Sequence, residues 1–73
     1  MMTDIIELEI AIKRARISKK ELANRLNISL QTLYNKLNNS VEFKASEVLK
    51  ICKILELSNA DRERIFFAND VDN

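Results

Sequence analysis

Leucine, isoleucine and valine recur along this chain every three or four residues, with polar positions between them, and no stretch alternates strictly. That period is helical. It predicts five short helices, the first at about Ile5 to Arg16, with Ile5, Leu8, Ala11, Ile12 and Ala15 on one face. Ile6 and Ile10 fall nearly opposite that face. The second helix follows Ser18 and carries Leu22, Ala23 and Leu26 inward, and the third follows Ser29 with Leu33 and Leu37 inward. The fourth covers about Ala45 to Leu55, with Val48, Ile51, Cys52 and Leu55 together, and Phe43 plugs the loop before it. A fifth follows Ser58, with Ile65, Phe66 and Phe67 as its apolar side. The fold class is therefore all-α, a compact five-helix domain.

The helix ends are written in side-chain chemistry. Asp4 with Glu7, and Ser18 with Glu21, have capping-box spacing, and Ser29 and Ser58 are further N-caps. Asp61 suits the dipole of the last helix. The chain has no glycine and no proline. A tight turn after a helix needs a residue that tolerates positive φ, and asparagine is next after glycine. Asn27 takes that part after the second helix, and Asn38 and Asn39 after the third.

At 73 residues there is room for one domain, with a flexible tail at about 69–73. Cys52 is the only cysteine, so no internal disulfide is possible, and its simplest place is as a small core hydrophobe. Histidine is absent. A metal cage, a nucleophile–histidine pair and a glycine-rich phosphate loop are all missing, so neither an enzyme nor a cofactor is expected. No apolar run is long enough for a bilayer and the N-terminus is acidic, which points to a cytoplasmic protein without a membrane role. Net charge is only +1, but it is unevenly spread. Residues 13–53 hold ten Lys/Arg against three acids, whereas residues 54–73 hold two against five. A basic segment beside an acidic tail suits a polyanionic partner.

The second and third helices, joined by a tight turn, have the proportions of a helix-turn-helix. Ala23 allows the two helices to touch, Ile28 plugs the gap after the turn, and Leu22, Leu26, Leu33 and Leu37 lock the angle. The motif spans about 18–37. The stretch ISKKELANRLNISLQTLYNKLNN resembles the helix-turn-helix of the lambda repressor/Cro-like family. The following VEFKASEVLKICKILELSNADRERIFF is similar to helices four and five of small Cro/repressor-type regulators from phages of Gram-positive bacteria. The resemblance covers about Leu8 to Phe67. It departs from the family pattern at Asn27 and Asn39, where glycine is usual, at Leu30, often polar, and at Lys44, where a threonine cap is common.

The resemblance implies a lambda-repressor-like DNA-binding domain with the third helix in the major groove of double-stranded operator DNA, bound as a homodimer. Two half-sites one turn apart, about 34 Å, call for such a two-fold pair. With Leu33 and Leu37 inward, Gln31, Asn35, Leu30 and Thr32 are the candidate base contacts. Gln31 and Asn35 can pair with adenine, and Leu30 can meet a thymine methyl. Lys19, Ser29, Tyr34, Lys36, Asn38, Asn39 and Lys44 are the candidate phosphate contacts. Tyr34 is either a phosphate ligand through its hydroxyl or a cover for the core edge. Ile6 and Ile10, or Phe66 and Phe67, are the candidate protein interface; the alternative for Ile6 is packing on the last helix or the tail. A different class of function fits the same scaffold: an antirepressor that grips a partner repressor protein. No small-molecule ligand is evident.

Overall fold

The computed structural model describes residues 3–67. Five helices account for their regular structure: α1 Ile5–Arg14, α2 Lys19–Leu26, α3 Leu30–Leu37, α4 Ala45–Ile54 and α5 Asn59–Phe66. The tail expected at 69–73 lies outside the described residues.

Each helix starts where a short polar side chain takes up an orphan amide, α4 excepted. The Asp4 carboxylate and the hydroxyls of Ser18, Ser29 and Ser58 accept from the amides of Glu7, Glu21, Thr32 and Asp61, at 3.0 to 3.1 Å. The reciprocal half of the box forms in α5, where Ser58 N–H donates to Asp61. It does not form in α1 or α2, contrary to expectation. Asp4 N–H donates instead to the Ile65 carbonyl, 2.6 Å away, and the side chains of Glu7 and Glu21 bind Arg64 and Arg25. At α4 the order is reversed: Lys44 has no acceptor, so Glu47 alone reaches back, taking Lys44 N–H at 2.8 Å.

Helix ends follow a different rule. After α1 to α4 the chain passes through positive φ at Arg16, Asn27, Asn39 and Glu56, with no glycine at any of them. Asn27 and Asn39 fill the role their chemistry suggests. Asn38 does not: its φ of −101° leaves the left-handed step to Asn39 alone. Arg16 and Glu56 adopt the conformation without an asparagine's tolerance, which costs about 1 kcal/mol or more each.

Leu8 and Ile12 of α1, the leucines of α2 and α3, Val48 and Ile51 of α4, and Ile65 and Phe66 of α5 form one interior, with Leu30 at its edge. Ala23 is buried where α2 meets its neighbours, and Ile28 packs partly buried against the same core after the turn. Ala15, expected inward, is exposed at the C-cap of α1. Phe43 is buried and meets Phe66 edge-on, with ring centres 6.0 Å apart at 82°. That placement corrects the reading of Phe66 as interface: it is fully buried in the core, leaving Phe67 half-buried beside Arg62.

Candidate nucleic-acid interface

Burial of Leu33 and Leu37 fixes which side of α3 meets water. Gln31 and Tyr34 are exposed, and Leu30, Thr32 and Asn35 are half-buried at the edges of that face. Gln31 and Asn35, one turn apart, are joined: Gln31 Nε2 donates to Asn35 Oδ1 at 3.2 Å. Their remaining amide groups form a single edge carrying both donors and acceptors, the pattern that a base edge requires.

The first turn of α3 is held by its cap. Ser29 Oγ accepts from Thr32 N–H and donates to Thr32 Oγ1 at 2.8 Å, so the hydroxyl is engaged within the helix. The amides of Leu30 and Gln31 have no intrahelical acceptor, and the dipole adds to their attraction for an anion. Of the N-terminal groups, these amides rather than the serine hydroxyl are positioned to bind a phosphate.

Lys19 opens α2 and ties three helices together. Its ammonium lies 3.1 Å from Glu9 of α1 and 5.8 Å from the ring centre of Tyr34 on α3. Tyr34 is nearly half exposed and supports the cation with its face. At the far end of α3, the Asn38 side-chain oxygen accepts from Ser40 N–H and Ser40 Oγ, drawing the loop closed, while Asn39 and Lys44 are exposed. Lys36 is a correction. Expected to grip phosphate, it is 3% exposed, and its ammonium binds Glu47 Oε1 at 3.0 Å and the Glu42 carbonyl at 3.2 Å. The sequence held a signal for it. Position 36 is three residues beyond Leu33, on the flank of the buried face, and Glu47 stands at an N3 site whose N-cap lysine cannot accept. Glu9, unlike Lys36, is not among the expected residues; nothing in local spacing links it to Lys19.

Along α1, Ile6 is 74% exposed and Ile10 partly so. That exposure leaves Ile6 largely uncovered by α5, and the tail, its other expected cover, lies outside the described residues. Ile10 stands on the rim of a groove of about 360 Å³, bounded by α1, the α4–α5 turn and one side of α5. Arg64 there bridges Glu7 and Asp61 at 3.0 and 2.9 Å. The Asp61 carboxyl is held below the usual aspartate range, first by Ser58 N–H and then by Arg64, and the pKa of Arg64 is raised by its partners, Glu7 first and then Asp61. Burial pushes the half-buried Cys52 thiol up, partly offset by Arg62.

Among the described residues, no group of three or more His, Cys, Asp or Glu could hold a metal ion. No helix among them is long and apolar enough to cross a membrane. A family model described as the Cro/C1-type HTH DNA-binding domain matches residues 7–61. No curated protein and no solved structure matches the chain.

Proposed function

This chain belongs to the Cro/C1-type helix-turn-helix DNA-binding family, and from that premise we propose that it regulates transcription by occupying operator DNA. In this reading α3 enters the major groove. Gln31 and Asn35 read base edges, Leu30 meets a thymine methyl, and Thr32 lines the same face. Lys19, the amides of Leu30 and Gln31 beyond the Ser29 cap, Tyr34, Asn38, Asn39 and Lys44 hold the phosphates. Two copies bind a two-fold site in the bacterial cytoplasm and obstruct or redirect polymerase.

The observation that carries this reading is the joined Gln31–Asn35 amide edge, turned outward behind Leu33 and Leu37. Selection from a random duplex pool tests it. A short palindrome should emerge, bound with steep salt dependence. A pool with no enriched sequence, at any salt, would sink the reading.

Exposed Ile6 and Ile10 favour a second reading, in which the α1 face grips a protein. In the homodimer that protein is a second copy; in an antirepressor it is a partner repressor. Sedimentation of the wild type and of Ile10→Glu, with and without DNA, separates the two. A dimer lost in Ile10→Glu supports the first. A monomer that binds no DNA but forms a stable complex with a purified repressor supports the second. Unchanged sedimentation and partner binding in Ile10→Glu would remove this face from both.

A further inference from the structure

The most enclosed polar cluster among the described residues lies behind α3, not on its outer side. Lys36 Nζ is 3.0 Å from Glu47 Oε1 and 3.2 Å from the Glu42 carbonyl, and 5.8 Å from the centre of the Phe43 ring. The carboxylate and the carbonyl take two of the three ammonium N–H groups, and the aromatic ring lies within cation–π range. The same Glu47 oxygen accepts Lys44 N–H, the first amide at the α4 end. The two side chains are 4% and 9% exposed, whereas every other ion pair among the described residues is a third or more open to water.

Stability alone is a weak reason to keep such a pair. The loss of hydration offsets most of the attraction, and two apolar side chains of similar size often do as well or better. Apolar contacts lack direction, however. Leu33 and Leu37 seat α3 by area and shape, and a small roll about the helix axis changes that area little. Hydrogen bonds to a fixed carboxylate and carbonyl weaken steeply as their angles open. Lys36 directly follows Asn35, so a roll that moves one swings the other, and Gln31 moves with Asn35 through their shared bond. Phe43, under the ammonium, is itself set against Phe66 in the core.

We propose that Lys36 and Glu47 are a positioning pair that sets the roll of α3, and so the aim of the Gln31–Asn35 edge, contributing base discrimination rather than stability. The functional half of this inference rests on the DNA-reading role above; the geometric half does not.

The test is the double substitution Lys36→Met with Glu47→Gln. It removes both charges and keeps an acceptor for Lys44 N–H. Two readouts are taken. Residual dipolar couplings of the α3 amides, compared with those of α2, should no longer fit the wild-type orientation. Discrimination between the best sequence from the random pool and its single-base variants should fall about tenfold. Affinity for random duplex and the salt slope should hold. Glu47→Asp, which keeps both charges but shortens the bridge, carries the same readouts if the double variant does not fold. Couplings that still fit the wild-type orientation in a folded variant overturn the positioning role, whatever happens on DNA. Altered couplings with intact discrimination overturn the specificity role. A salt slope lower by about one phosphate makes Lys36 a phosphate ligand and overturns both. A wild type without sequence preference defeats the DNA reading, and the couplings then decide the geometry alone.

Discussion

Two seams of this domain are each bridged by a charged pair, and they are built differently. Between α3 and α4, Lys36 and Glu47 meet at 3.0 Å, almost wholly out of water. Between α1 and α5, Arg64 and Glu7 also meet at 3.0 Å, but with 46% and 34% of their side chains exposed. Equal distances conceal unequal consequences, because the solvent decides what happens when a partner leaves. At the exposed seam water replaces it. At the buried seam a bare charge remains. The stiff seam lies behind the amide edge, where an angle matters. The yielding seam lies beside Ile6 and Ile10, where a protein partner could reshape the surface.

The largest effect should come from breaking the stiff seam on one side only. Lys36→Ala strands Glu47 and should cost about 3–5 kcal/mol in a denaturant titration. Arg64→Gln at the other seam should lower the melting temperature only slightly, and that loss should vanish in 1 M salt. If the two variants lose stability equally, the contrast between the seams is wrong. On the outer face, Gln31→Ala should weaken discrimination at one base position by about 1–3 kcal/mol in competition binding, leaving the melting temperature unchanged. Equal loss on every sequence would contradict its role. Near the yielding seam, Glu56→Gly should raise stability by about 1 kcal/mol, by relieving a left-handed residue that has a Cβ. The smallest effect concerns acid. The Asp61 carboxyl is held low, first by Ser58 N–H, so its contribution is present above the ordinary aspartate pKa of about 3.9 and is lost as pH falls through the lower folded value. Melting curves from pH 7 downward should show a smaller acid loss in Asp61→Asn than in wild type.

What the sequence disclosed was mostly local. The caps Asp4, Ser18, Ser29 and Ser58 act on amides three residues away, so spacing alone identifies them. The left-handed step at Asn27 follows from one side chain's tolerance. The five helices and the outward face of α3 follow from the leucine period. The misreadings come from partners distant in sequence. Lys36 looked like a surface cation because Glu47 and Phe43, which hold it inside, arrive only after the loop. Phe66 and Phe67 looked equivalent until Phe43 took one of them into the core. Glu7 looked like a box partner of Asp4, but Arg64 on the last helix claims it. Arg16 and Glu56 carry no residue signal for their left-handed backbone, since neither side chain has the tolerance that marks Asn27 and Asn39.

The amide of Asp4 and the carbonyl of Ile65, bonded at 2.6 Å, bring the two ends of the folded body to one corner. That bond ties the start of α1 to the last turn of α5. Neither end of the described body can therefore fray alone: loosening the first turn of α1 gives up a bond to α5 as well.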